Sequence, residues 1–412
     1  MERLPGFRDF YPEPLPHKDV WSADARQYIF SQWREAARRY GFREYDGPPL
    51  EPLELFTTKS GDEIVGQLYN FVDKGDRAIA LRPEMTPTLA RMIAAHERNY
   101  KKPIKWFAIP QLFRYERQQK GRLREHFQFN ADIFGEQDVA ADAELIALLI
   151  DTLRSFGLTA EDFVIRLSSR NAWNDYFTNR GGKAGQEYDF FQVIDKLERA
   201  ESEESQKKLA ALGFSLDDVN AFINSGTPTV ELASIIANLT ARGLGDFVKV
   251  DYKVIRGLAY YTGPVFEAFD RKGEFRAIAG GGRYDNLVKL ISNGKVDLPA
   301  LGFGMGDVVL LELLKARGRL PQFHQNVDVF VLIEQEVLRP QSLKLIQELR
   351  TAGRVAEYAL TAVKPDKQFK RAQELNARFL AKLENDSTVR VRNLKTREEW
   401  SMPATDLATR LS

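Results

Sequence analysis

Residues 113–129 read FRYERQQKGRLREHFQF, and this stretch decides the fold. Five cations, Arg114, Arg117, Lys120, Arg122 and Arg124, stand against only Glu116 and Glu125, and apolar runs at 104–113 and 127–134 flank them. Two strand-like runs joined by a long charged segment read as a β-hairpin with a basic loop. Guanidinium groups make bidentate bonds to phosphate oxygens, so the base of such a hairpin suits a nucleotide phosphate and its tip a nucleic-acid end. A merely solvated hairpin is the competing reading, because charge runs are usually wet faces.

Outward from the hairpin, further strand-like runs lie at 67–72 and 78–81, and helical spacing covers 20–40, 86–99 and 140–156. Ile29, Trp33, Ala36 and Ala37 share one face of the first helix, which should stop near Gly41. Closely spaced strands carrying helices predict an α+β class with an antiparallel sheet. From about 171 to 241 the texture turns helical and highly charged, an inserted helical module. Strand signals return at 248–255, 265–270 and 277–279, then residues 302–305 lead into an apolar helix over 308–314. The segment GRLPQFHQN at 318–326 reads as a linker. Beyond it an αβ pattern, with helices at 341–352 and 367–376 and an extended run at 355–360, has the scale of a separate domain. The expected boundaries are 1–325 and 326–412.

Composition narrows the chemistry. Of 412 residues none is Cys and only four are His, which excludes disulfides, thiol nucleophiles and Cys-bound zinc and argues against a His-rich metal site. No apolar run reaches the length of a membrane span, and the opening MERLPGFRDFYPEP lacks the apolar core of a secretory signal, so a soluble cytoplasmic protein with no membrane partner is expected. The 59 basic and 58 acidic residues leave a net charge of +1, so affinity for polyanions must come from local clusters. Such a cluster lies at 364–397, where ten basic residues oppose four acidic ones.

Three more segments carry chemistry. RGLAYYTGPVFEAF at 256–269 and AIAGGGRYDNL at 277–287 combine close backbone approach at consecutive glycines with flat tyrosine walls, although glycine triplets are more often turns and paired tyrosines more often strand packing. LRPEMTPTLARM at 81–92 ends a strand in a carboxylate and a hydroxyl, with Thr86 as N-cap and Pro87 at the first helical position as the plain alternative.

Taken together, GFRDFYP near the start, residues 41–51 with Pro48 as a motif 1, the basic hairpin as a motif 2, RGLAYYTG and GGGRYDNL resemble the histidyl-tRNA synthetases of the class II fold over nearly the whole chain. The last two segments, in this order and spacing, are specific. The resemblance implies a histidine–tRNA ligase, a homodimer through motif 1, with ATP as substrate together with Mg²⁺, histidine and tRNA(His) as partners, no metal held by protein ligands alone, and an anticodon-binding domain at the C-terminus.

It also implies roles. Activation brings a carboxylate onto the α-phosphorus of ATP, so charge-stabilising arginines suit it better than a general base. Arg114 and Arg256 match the catalytic pair about the α-phosphate and the histidine carboxylate, Glu116 the adenine contact and Arg122 a phosphate contact. Glu84 and Thr86 match the ammonium site with Gln128 beside them, Asp132 and Tyr261 the imidazole readers, and Tyr260 and Tyr284 the walls. Gln119 and Arg124 match contacts to the tRNA acceptor end. Departures are Asp132 where glutamate is familiar, Ala259 for Asp, Asn130 for Gly, and a reversed His126–Phe127 order. The largest is Val309, which in ALGFGMGDVVLLELL stands where motif 3 carries an arginine for the γ-phosphate. Either another cation such as Arg122 or Arg283, with Mg²⁺, holds the triphosphate, or the chain is a histidine-binding regulatory subunit of ATP phosphoribosyltransferase, a paralogue of the family. The basic C-terminal domain argues for the ligase.

Overall fold

The computed structural model describes residues 2–57, 66–115, 123–197, 202–255, 260–323 and 327–411. The chain forms two compact units, one comprising Met1–Phe10 and Ala25–Pro321 and the other Tyr11–Asp24 and Gln322–Ser412.

The first unit is α+β around a mixed sheet. Helix α1 (Ala23–Arg39) buries Ile29, Trp33, Ala36 and Ala37 along one stripe, as the spacing predicts, and the chain leaves it through Gly41 at φ +76°. The strands used below are β1 (Arg43–Glu44), β2 (Leu50–Pro52), β3 (Asn70–Val72), β4 (Ala78–Leu81), β5 (Ile104–Ala108), β6 (Gln111–Phe113), β7 (Glu125–Phe134), β8 (Phe163–Ser169), β9 (Val248–Val250), β10 (Pro264–Asp270), β11 (Ala279–Arg283) and β12 (Ala300–Gly306). The central sheet runs β9-β8-β10-β11-β12-β7-β5-β1, with β6 also on β7, and β2-β4-β3 form a small second sheet. Pairing is antiparallel except at the two ends, where β8/β9 and β1/β5 are parallel, so the sheet is mixed rather than purely antiparallel.

Helix α2 (Thr86–His96) follows β4, and α3 (Ala140–Arg154), buried along most of its length, packs against β7 and β12. The helical insertion is present as α4 (Arg170–Asn179), α5 (Glu187–Lys196), α6 (Ser202–Ala211), α7 (Leu216–Ser225) and α8 (Val230–Ala241), with no strand among the described residues. Side chains of Ser169, Ser215 and Thr229 cap α4, α7 and α8. The unit ends in α9 (Leu287–Ile291), packed on α2, and α10 (Asp307–Ala316).

Of the expected strands, the run at 67–72 pairs only from Asn70, the run at 104–113 breaks into β5 and β6, and two others differ for reasons visible in the fold. The run at 248–255 is a strand only through Val250, because the chain then turns and the Tyr252 carbonyl accepts the Trp173 indole N–H at 3.0 Å, tying the insertion to the sheet edge. The run at 277–279 instead begins at Ala279 and continues through the three glycines to Arg283. Glycine breaks isolated strands, but here the ladders to β10 and β12 supply the backbone partners.

In the second unit β13 (Val329–Val331), α11 (Arg339–Thr351), β14 (Ala356–Tyr358), α12 (Pro365–Glu374), β15 (Phe379–Leu383), β16 (Thr388–Asn393) and β17 (Glu399–Pro403) give the sheet order β14-β13-β15-β16-β17. Val329, Val331, Leu345, Leu349, Ala381, Val389 and Val391 fill its core. Among the described residues no helix is long and apolar enough to cross a membrane.

Candidate active site

Period-two alternation on β7 builds the site. Phe129, Ala131 and Ile133 point into the core, so Gln128, Asn130 and Asp132 share the other face. Directly opposite them on β12 stand Gly306, Gly304 and Gly302, and beyond these on β11 Gly280 faces Gly304 and Gly282 faces Gly302. The face is thus a row of polar side chains beside a floor of bare backbone. The glycines are needed for space. A Cβ on Gly302 would collide with Asp132 Oδ1, one on Gly304 would lie 2.6 Å from Gln128 Cδ, and one on Gly282 would lie 3.0 Å from Tyr261 Cδ1.

Asp132 is buried, and its Oδ1 accepts the Tyr284 hydroxyl. Burial pushes its carboxyl up to about 7, partly offset by that hydrogen bond, and burial beside it raises the Tyr284 phenol well above its ordinary value. The Tyr260 ring meets Tyr284 edge to face at 5.9 Å and lies 5.2 Å from Tyr261. The Tyr260 hydroxyl donates to Glu84 Oε2 at 2.8 Å. Glu84, itself buried, comes from the turn between β4 and α2. An unbroken chain of contacts therefore joins two buried carboxylates, Glu84 in the turn before α2 and Asp132 on β7. Thr86 is the first residue of α2 with Met85 at the N-cap and no side-chain cap bond, so the capping alternative is not adopted.

Arg114, just past β6, is aimed by one bond from its Nε to the Pro83 carbonyl at 2.9 Å, next to Glu84 in sequence. Its terminal nitrogens have no hydrogen-bond partner among the described residues, which leaves them for an anion. Arg124, at the start of the returning hairpin arm, holds its guanidinium 4.1 Å over the Tyr115 ring, and its N–H donates to the Gly6 carbonyl. His126 is half-buried on this arm, and loss of solvation together with the positive charges of Arg114 and Arg8 holds it at about 3, so it is neutral. Of the site residues expected from the sequence, Glu116, Gln119 and Arg122 of the hairpin loop and Arg256 lie outside the described residues.

Val309 sits in the first turn of α10, half-buried. Arg283 is not free to replace the missing cation there. Its Nε donates to Asp142 at 3.1 Å and its terminal nitrogens donate to the carbonyls of Glu136 and Asp138, both at 3.0 Å, and the whole side chain is buried.

Sequence reasoning missed a second buried cluster. Arg8, from the GFRDFYP segment, donates from Nε to Glu125 Oε1 at 2.6 Å and from Nη1 to Asp307 Oδ2 at 2.8 Å. Gln111 Nε2 donates to Glu125 at 2.9 Å and the Phe127 N–H to Asp307 at 3.0 Å. Burial raises the Asp307 carboxyl, partly offset by Arg8. This cluster joins the N-terminal segment, β7 and the first residue of α10. Its only signal in sequence was an arginine within GFRDFYP.

Compared with known proteins, the chain matches a family model described as histidyl-tRNA synthetase over residues 17–307 and one described as an anticodon binding domain over 327–412. It is 45% identical to a histidine–tRNA ligase of Opitutus terrae, over 98% of this chain and 96% of that protein. It is 38% identical to the chloroplastic/mitochondrial histidine–tRNA ligase of Arabidopsis thaliana, over 98% and 85%. Among solved structures it is similar in fold to a histidyl-tRNA synthetase from Nostoc, with a TM-score of 0.76 and 23% identity over 97% of both chains.

Proposed function

The chain belongs to the histidyl-tRNA synthetase family, and from that premise we infer that it is a histidine–tRNA ligase, joining histidine to ATP as histidyl-adenylate and passing it to the 3′ end of tRNA(His). The observation that carries this reading is the chain of contacts Glu84–Tyr260–Tyr284–Asp132 beside a glycine floor, with Arg114 aimed by the backbone next to Glu84. Glu84 suits an ammonium group, Asp132 an imidazole, and the open end of Arg114 the carboxylate and α-phosphate that must meet. The first domain is read as catalytic over 1–325 and the second as anticodon-binding over 326–412.

In the reaction a carboxylate oxygen of histidine attacks the α-phosphorus, the new O–P bond forms as the bond to pyrophosphate breaks, and negative charge grows on the phosphoryl oxygens. Arg114 and Arg256 stabilise that charge electrostatically, and no general base is required because the carboxylate is already ionised. Thr86 and Gln128 complete the ammonium side, Tyr261 reads the ring with Asp132, and Glu116 and Arg122 take the adenine and phosphates. When bound with the triphosphate, Mg²⁺ would neutralise charge on the pyrophosphate leaving group. Gln119 and Arg124 meet the tRNA acceptor end, the protein acts as a cytoplasmic homodimer through motif 1, and no membrane is involved. The regulatory-subunit alternative is not favoured, since the curated relatives are named as ligases and such a subunit has no use for an α-phosphate grip.

Histidine-dependent exchange of pyrophosphate into ATP tests the reading directly. Exchange with charging of tRNA(His) is expected. Tight histidine binding with no exchange at saturating Mg²⁺ and ATP would overturn it.

A further inference from the structure

Tyr45 follows β1 in the motif 1 segment, and its backbone N–H donates to the Phe107 carbonyl at 2.9 Å. Its ring lies 5.7 Å from Trp106, which stands directly across the ladder from Asp132, and it packs on the cluster that includes Tyr261, Val265 and Tyr284. The hydroxyl at the end of that ring is buried and has no hydrogen-bond partner among the described residues. The charges it feels most are those of Asp132, Arg82 and Asp46, and Tyr284 feels it in turn. Arg82 is already spent on the carbonyls of Gly47 and Gln111 and on Asp46.

A buried hydroxyl without a partner is costly, and a phenylalanine would pack against Trp106 without that cost. The hydroxyl is therefore placed for something that enters the site. Asp132 needs help there, because it is a short side chain seated on Gly302 with Oδ1 already accepting from Tyr284. A neutral imidazole offers one N–H and one bare nitrogen, and a phenol can donate to one or accept from the other.

We propose that Tyr45 is a specificity-determining residue of the histidine pocket, its hydroxyl gripping the imidazole end of the ligand together with Asp132 and Tyr284. The proposal rests on the ligase reading above. Bound histidine supplies the partner that the described protein groups do not give Tyr45, so discrimination comes partly from a polar atom left unpaired by any ring that lacks a matching nitrogen.

Tyr45→Phe tests this in the full-length chain, with histidine and histidinol affinities measured by titration calorimetry and the KM values for histidine and ATP by pyrophosphate exchange. Histidine should bind about tenfold more weakly, the size of one lost hydrogen bond to a buried group. Histidinol, which keeps the ring and lacks the carboxylate, should lose the same factor. The KM for ATP should not move, and Tm should hold or rise, since the variant removes an unpaired polar atom from the free protein. Coupling to Asp132→Asn should make the double variant's loss smaller than the sum of the single losses. Unchanged histidine affinity, an equal change in the KM for ATP, or a lower Tm with histidine affinity intact would each overturn the proposal. If the wild-type chain binds histidine yet shows no exchange, the ligase reading fails while the Tyr45 result still stands for the pocket; if it binds none, both fail.

Discussion

Two of the buried polar clusters in the first unit, those around Arg8 and around Asp132, are built in opposite ways. Around Arg8 every strong group is answered within the fold, with Glu125 and Asp307 sharing one guanidinium and each taking a further N–H. Around Asp132 the answers are incomplete among the described residues, where the Tyr45 hydroxyl and the terminal nitrogens of Arg114 have no hydrogen-bond partner and burial has pushed a carboxyl up to about 7. A closed network holds segments in place, whereas an unfinished one keeps polar atoms for a ligand at the expense of stability. Chemistry and structural support are therefore separated along one sheet, whose β7 carries Glu125 at one end and Asp132 near the other.

The contrast can be broken most severely at Arg8. Arg8→Met strands two buried carboxylates and should cost about 3 to 5 kcal/mol in urea unfolding near neutral pH; a loss below about 1 kcal/mol would mean the cluster supports little. On the open side, Arg114→Gln should slow adenylate formation by roughly 10² to 10³, the equivalent of about 3 to 4 kcal/mol, with little change in Tm. A comparable fall in stability would move Arg114 to the closed class.

Asp132→Asn sharpens the same contrast through pH. The carboxyl has a folded value near 7 against an ordinary 3.8, so the native state holds its proton longer than the unfolded chain. Its favourable contribution is fully present below about 4 and is lost as pH rises through 7. Without histidine, the wild type should lose on the order of 1 to 2 kcal/mol relative to the variant between pH 5.5 and 8. Parallel pH profiles for the two proteins would contradict the assignment. The smallest effect is expected from Val309→Arg. It should change the KM for ATP by less than about fivefold, the scale of a partly exposed ion pair; a hundredfold gain would show that the triphosphate site of this chain is unfinished.

Much of this was legible in local spacing. The stripe of Ile29, Trp33, Ala36 and Ala37 predicts α1, the strand-like run over 127–134 predicts β7, and the charged texture of 171–241 predicts the insertion. The family motifs name Glu84, Gln128, Asp132, Tyr260 and Tyr284 for one site, and in the structure Glu84, Tyr260, Tyr284 and Asp132 stand in contact. The element readings hold because helix and strand periods are written into consecutive side chains.

What tertiary structure alone decided has a common cause. The glycines of AIAGGGRYDNL resemble a turn by composition, yet they form a central strand because β10 and β12 lie on either side to pair them. Arg283 reads as a spare cation and is consumed by Asp142 and two carbonyls. Arg8 reads as one charge in a polar N-terminal segment and becomes the bridge between β7 and α10. Tyr45 reads as another aromatic, and only packing reveals that its hydroxyl is sealed in without a partner among the described residues. The sequence by itself determines which residues alternate, which segments form elements and which chemistry is on hand. Burial and pairing depend on groups far apart in the chain, and whether a charge is spent or available is settled only when the fold brings those groups together.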